Sequence, residues 1–312
     1  MDKVNFLFGS PKRKKDNMVP FNPPVEVLEE IFSFLDPKCL ITKCRPVCRL
    51  WKEVIDEIVL PRRAVKSVQM REALREKNLN VRVYYDLIVN LKKNLLRNVL
   101  FELAPTNMAS AFIQSLNPTF VRDSNVPHWV TRGPYQREKP SIGANPEFIS
   151  WSDLKENGIQ DAKNCPVVAT SHSMTSQYQD IILSECNISD ELMDVIKPTI
   201  VAEEWIGTRW DCGNEYSLVL ELFCHNSDTS DYRKICQVGT HGGGPGSWRK
   251  VSISIKNYDR GVRRIRFTRY GKDSQFWAGF YGTKFALPKV YLELPKFQIS
   301  LVEDSKESND NY

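Results

Sequence analysis

Several things are scarce in this chain, and each scarcity excludes something. No run of about eighteen apolar residues occurs in its 312, so no membrane-spanning helix is expected. The four histidines, His128, His172, His225 and His241, are scattered and fall in no metal-ligating or nucleophile motif. The eight cysteines include no Cys-x-x-Cys pair, so free buried thiols are the default reading. Cys39, Cys44 and Cys48 follow helical spacing, and no histidine lies near them to complete a metal site. The run Gly242 to Gly246 lacks the Lys-Ser/Thr of a phosphate loop and reads as a hairpin loop; Gly271-Lys272-Asp273-Ser274 fails the same test. No glycosidase-like carboxylate pair stands out. The sequence nominates no catalytic residue, no metal ligand and no cofactor site.

Bulk composition is that of an ordinary globular protein, 41% hydrophobic and 26% charged. The net charge of +5 permits nucleic-acid contact without requiring it. At the N-terminus the apolar patch Val4 to Phe8 precedes the basic run Lys12 to Lys15, the reverse of a secretory signal. A cytoplasmic location follows, with nuclear import left open by that basic run. Residues 1–20 read as a disordered basic tail and 298–312 as a polar tail.

What is present begins at Pro23. From there to Ile55 the chain reads PPVEVLEEIFSFLDPKCLITKCRPVCRLWKEVI. Val27, Leu28, Ile31, Phe32 and Leu35 recur at helical spacing. Asp36 caps the next helix and Pro37 occupies its first turn. Leu40 and Ile41 form a second apolar set, and Val47, Leu50, Trp51, Val54 and Ile55 a third. So small a unit buries little surface, and its apolar side chains exceed its own core, so a partner is expected to cover the remainder.

This stretch resembles an F-box. The family pattern is met at Pro24, Glu26, Val27, Leu28 and Ile31, again at Leu35-Asp36-Pro37, and again at Val47, Cys48 and Trp51; its leading Leu is Pro23 here. The resemblance implies docking on the Skp adaptor of a cullin-type ubiquitin ligase and, through it, on cullin and RING subunits. The implied adaptor-binding residues are Pro24, Val27, Leu28, Ile31, Phe32, Leu35, Pro37, Leu40, Val47, Cys48 and Trp51. The module is placed at 21–60.

From 61 to 96 helix formers dominate, and Val65, Val68, Leu74, Leu79, Leu87, Leu91 and Leu95 predict one or two helices acting as a stiff linker. Beyond Arg97 period-two alternation takes over. Strands are predicted over Glu215–Cys224, Val251–Ile255, Val262–Arg269, Phe276–Phe285 and Val290–Leu294, with turns at 242–246, 259–261 and 270–273. Short strands with Gly-rich turns argue for an antiparallel sandwich. Trp205 and Trp248 read as core or inter-sheet packing, and Arg209 with Asp211 as a structural ion pair or the hold of a turn. Arg249, Lys250, Arg264 and Arg266 read as the solvated face of strands, with a nucleic-acid surface as the remote alternative.

This half is similar to the F-box-associated domain of the sugar-recognising F-box proteins. Lys93 to Asn98, then Pro198 to Tyr216 with Trp205, Arg209, Asp211 and Gly213, then Trp248, Tyr258, Gly261 and Asp273 to Gly282 carry the match. The resemblance implies an α+β chain: a helical F-box module and linker followed by an antiparallel β-sandwich of jelly-roll, galactose-binding-like form over 97–297. It implies a target protein held through the inner part of its N-linked glycan, as in degradation of glycoproteins exported from the endoplasmic reticulum. The implied sugar-facing pair is Phe276 and Trp277, beside Ala278, with His172 on a neighbouring loop. An aromatic ring covers the C–H face of a sugar. Here the family's Tyr is Phe276, which lacks a hydroxyl, and Ala278 stands where some members carry Lys. A target's protein surface is the alternative ligand. Phe276 alternates with Ala278 and Phe280, which predicts an inward-facing ring, with Trp277 on the opposite face.

Overall fold

The computed structural model of the chain describes residues 23–102, 126–138, 149–209, 211–225, 227–240, 248–276 and 278–295. The two expected tails, the 242–246 loop and Trp277 fall outside the described residues. The chain divides into two compact units, Met1–Arg63 and Ala64–Tyr312.

In the first unit, helix α1 spans Val25–Phe34, α2 Pro37–Cys39, α3 Arg49–Val54 and α4 Leu60–Ala64. Asp36 caps α2 by accepting from the backbone N–H of Lys38 at 2.9 Å and Cys39 at 3.2 Å. Wide helical turns, Leu40–Cys44 and Ile55–Val59, extend α2 and α3. Leu28, Phe32, Leu40, Val54, Ile55, Val59 and Leu60 are buried. The Phe32 and Trp51 rings meet edge-on at 5.0 Å. Arg45 grips Asp56 through Nε and Nη2, both at 2.9 Å, which ties the wide turn to the end of the module.

The second unit opens with α5 (Val68–Arg75) and α6 (Val81–Asn90), as the linker pattern predicts. Ser67 caps α5 and Asn80 caps α6. Helix α6 lies against the irregular segment around Asn187 and Ser189. Its buried Asp86 accepts from Ser189 N–H at 2.9 Å, and Arg82 donates to Asn187 O at 2.9 Å. Past α6, Lys92 and Leu95 donate backbone N–H groups to Leu292 and Val290 carbonyls at 2.9 and 2.7 Å.

The strands are β1 (Val130–Arg132), β2 (Tyr135–Glu138), β3 (Val167–Thr170), β4 (Thr175–Ile182), β5 (Thr199–Gly207), β6 (Asn214–Cys224), β7 (Tyr232–Thr240), β8 (Trp248–Ile255), β9 (Val262–Asp273) and β10 (Lys284–Glu293), with helix α7 (Trp151–Glu156) between β2 and β3. They form two five-stranded sheets, β1-β4-β9-β6-β7 and β2-β3-β10-β5-β8, antiparallel throughout. The result is the expected β-sandwich. Trp205 and Trp248 are buried with Ile149, Leu154, Cys165, Val167 and Ala286, as their reading as core packing requires.

Two local expectations fail. Phe276–Phe285 is not a strand: Phe276 and residues 278–283 are outside any strand, and only Lys284 and Phe285 enter β10, which also contains Val290 to Glu293. Positive φ at Phe276 (60°) and Gly279 (130°) breaks extended backbone there. The expected turn at 270–273 lies inside β9. Gly271 is a strand glycine: a Cβ there would sit 2.5 Å from the Phe285 ring, so its small size serves close packing across the core.

Candidate functional site

Two surfaces carry the sequence-nominated residues. On the helical module, α1 has two apolar stripes. Leu28 and Phe32 face inward, whereas Val27, Ile31 and Phe34 stay 45, 48 and 80% exposed, joined by Val47 at 58%. Pro24 and Cys48 are also exposed, and Leu35 and Trp51 are half-buried. The implied adaptor set therefore separates. Leu28, Phe32, Pro37 and Leu40 are buried among the module's own residues and hold it together; they are not a contact surface as the module stands. Phe34 was missed, although its three-residue spacing from Ile31 was readable. A monomer that leaves this many large apolar side chains bare is built to be covered.

The second surface lies at one end of the sandwich, where three loops meet. The β3–β4 loop carries His172, which is exposed. Its Ser171 carbonyl accepts from Asp273 N–H at 2.7 Å, fastening it to the end of β9. Ser274 N–H donates to Gly213 O at 3.3 Å, joining the β5–β6 loop. Gly282 N–H donates to Thr170 O at 2.8 Å, and Thr283 donates its hydroxyl to Glu215 O at 2.6 Å, anchoring the far side of the β9–β10 loop. Between those anchors Phe276 stands 78% exposed, contrary to the inward orientation predicted from alternation. The alternation argument presumes a strand, and the loop's positive φ removes that premise. Ala278 is exposed on the same loop.

Arg209 Nε lies 2.7 Å from Asp211 Oδ1, the expected ion pair, and its guanidinium stacks on the Tyr281 ring at 4.8 Å. Nearby, burial and the neighbouring Asp211 push the Cys212 thiol up to about 11, so it remains protonated at neutral pH.

The strand-face cations are tied to carboxylates. Arg264 and Arg266 share Asp180, at 3.3 and 2.6 Å, and Lys250 bridges Asp153 and Glu203 at 3.1 and 3.0 Å. A phosphate-binding face would compete with these pairs. Among the described residues no cluster of His, Cys, Asp and Glu is arranged to hold a metal ion. No helix among them is long and apolar enough to cross a membrane.

A feature that sequence reading missed lies beneath this end. Arg269 of β9 pairs with Glu204 of β5 across the two sheets, both fully buried. Gln177 and the Tyr216 hydroxyl complete the polar cluster, and the guanidinium stacks against Phe101, Trp129 and Phe285 at 4.3, 5.0 and 4.5 Å.

Comparison with known proteins agrees with both units. Residues 24–66 match the F-box-like family, and residues 87–291 match the F-box associated region. F-box only protein 6 of Bos taurus is 30% identical over 267 residues, covering 84% of this chain and 88% of that protein. F-box only protein 44 of Mus musculus is 26% identical, covering 84% and 91%. F-box only protein 2 of Bos taurus is 24% identical, covering 86% and 82%. Among solved structures, a xylan-binding domain from Paenibacillus barcinonensis overlaps with a TM-score of 0.32 at 9% identity, covering 66% of this chain and 99% of that one. With an F-box-like segment at 24–66 and an F-box associated region at 87–291, the chain belongs to the F-box associated family of F-box only proteins.

Proposed function

We propose that the chain is the substrate-recognition subunit of a Skp–cullin–F-box ubiquitin ligase. Its helical module holds the Skp adaptor, and its sandwich holds the target protein. The observation that carries the reading is the bare apolar face of Val27, Ile31, Phe34 and Val47, on the segment that matches the F-box-like family. In this role the chain performs no chemistry. It raises the effective concentration of a bound target beside the charged conjugating enzyme. The adaptor half is tested by co-purification. Ile31→Asp and Val47→Asp should each abolish recovery of the Skp adaptor while leaving the chain's thermal transition in place; undiminished recovery overturns the assignment.

The target contact is assigned to the loop end around Phe276, with His172, Ala278 and, by its place next to Phe276 in the sequence, Trp277. An exposed ring held at positive φ fits the C–H face of an N-acetylglucosamine. The absence of a Tyr hydroxyl at 276 and of a Lys amine at 278 supports a second reading, in which the same apolar loop meets a protein surface. A site left with one unmatched sugar hydroxyl loses about 1–3 kcal/mol. Binding of the adaptor-bound chain to a high-mannose glycoprotein, with chitobiose as competitor, separates the two. Competed binding that Phe276→Ala removes supports the glycan contact; binding that chitobiose leaves untouched supports the protein surface.

A further inference from the structure

Among the described residues, strand β4 is covered along only part of its outer edge. Strand β1 pairs with Ser176, Gln177 and Tyr178 and goes no further. The register would bring His128 opposite Asp180, but the backbone turns away there, with φ 73° at His128. On its other side β4 is paired with β9 as far as Ile182 opposite Arg264. Leu183 N–H donates to Arg263 O at 3.1 Å, which sets the phase of the ladder. In an antiparallel ladder bonding alternates along the strand, so Ile181 and Gln179 bond to β9, while Asp180 and Ile182 direct N–H and C=O the other way. Among the described residues, no strand meets those four backbone groups.

The space they face is a groove. A hollow of about 240 Å³ is lined by Gln179, Asp180, Ile181, Ile182, His128 and Arg97. A second of about 300 Å³, bounded by Lys93 and Asn187, adjoins it and shares Leu95, Arg97, Glu185 and Cys186. The groove's charge is not balanced. Asp180 is spoken for by Arg264 and Arg266 on the sheet face. Among the described residues lining the groove, that leaves Lys93 and Arg97 against Glu185, which Arg97 approaches at 3.4 Å.

We infer that the Asp180–Ile182 edge is a β-addition site for an extended, acidic peptide segment of a protein partner. The peptide backbone takes the Asp180 and Ile182 donors and acceptors, and an acidic side chain reaches Lys93 and Arg97. The site sits at the end of β4 opposite the His172 loop, so it is a second contact and does not depend on what Phe276 binds. A receptor gripping one segment here and another feature at the loop end gains from both contacts being intramolecular.

The test uses the full chain and a fluorescein-labelled peptide of alternating Val and Glu, seven residues long. Saturable binding, at least tenfold weaker at 0.5 M than at 0.1 M salt, is expected to slow hydrogen exchange of the Asp180 and Ile182 amides at least tenfold. Ile182→Pro removes only a donor aimed into the groove, so it should keep the thermal transition and weaken binding at least tenfold. Ile181→Pro, which removes a bond to β9, should lower the transition. Should Ile182→Pro fail to fold, the same peptide N-methylated on alternate amides serves instead and should not bind the unaltered chain. Three results overturn the inference: no saturable binding, binding indifferent to Ile182→Pro and to N-methylation, or Asp180 and Ile182 amides already protected without peptide. The last would mean that residues 103–125 of this chain fill the edge.

Discussion

At the scale of single residues, the clearest lesson is how differently neighbouring apolar side chains on one helix behave. Phe32 is almost wholly buried and Ile31 is half exposed. Phe32→Ala should cost about 3–5 kcal/mol and destroy adaptor binding by unfolding the module. Ile31→Asp should destroy it with the module intact, so circular dichroism alongside pull-down distinguishes the two. Periodicity found the apolar set but could not say which of its members faced the core, because Val27, Leu28, Ile31, Phe32 and Leu35 fall on one continuous face of about 140°, with Val27 and Ile31 toward one edge and Leu28 and Phe32 toward the other. The buried Arg269–Glu204 pair was legible only in part. By period-two spacing Arg269 falls in the inward phase of Ile265 and Phe267, opposite to Arg264 and Arg266, but no local pattern names the distant partners Glu204, Gln177 and Tyr216 that make its burial affordable. Arg269→Ala leaves Glu204 without its countercharge and should destabilise the sandwich by about 3–5 kcal/mol. For a domain of this size that is a fall in Tm of about 6–20 °C, read by calorimetry. Exchange of both charges for apolar residues of similar volume should be far milder, since the pair also carries its own desolvation cost.

At the scale of elements, long alternating segments were readable and irregular ones were not. Glu215–Cys224 sits inside β6 almost end to end, because alternation in a half-buried antiparallel strand has one physical cause. The β9–β10 loop carries Phe276, Ala278 and Phe280 in the same alternation, yet its positive φ values and its anchors at Asp273 and Gly282 bend it into a loop. Those anchors come from Ser171 and Thr170, about a hundred residues away in sequence, so no local pattern announces them. The turn before β9 carries a pH-dependent clasp. Asp194 accepts from Arg263 at 3.0 and 2.7 Å and from Gly261 N–H at 2.8 Å. The Arg263 guanidinium holds its carboxyl below the ordinary 3.8. A carboxyl lowered by folding stabilises fully above the unfolded value and loses that contribution as pH falls through the folded one. The stability gap between the unaltered chain and Asp194→Asn should therefore be constant above pH 3.8 and close progressively below it, as urea titrations at a series of pH values would show. A gap that widens on acidification would assign the clasp to another group.

At the scale of the whole molecule, the division at Arg63 and Ala64 matters most. The module's apolar centre is made of Leu28, Phe32, Leu40, Val54, Ile55, Val59 and Leu60, all from its own segment. The sandwich has its own interior, and helices α5 and α6 belong to the same unit as the strands. The sequence alone places a boundary near 60 and assigns 61–96 to a stiff helical linker that packs on both modules. What it cannot supply is the pairing of Leu91, Lys92 and Leu95 with β10, since those bonds run from backbone to backbone and carry no side-chain signature. Two consequences follow for truncation. A fragment of residues 64–312 keeps α6 and its bonds to Asn187 and Ser189, so it should fold, retain the sandwich's thermal transition and lose all recovery of the Skp adaptor. A fragment starting at 97, where the resemblance alone would put the domain edge, gives up the backbone bonds to Leu292 and Val290 and leaves that side of β10 bare. It should melt several degrees lower and aggregate more readily than 64–312, as light scattering during a thermal ramp would report. Equal behaviour of the two fragments would mean that α5, α6 and residues 91–95 add nothing to the sandwich.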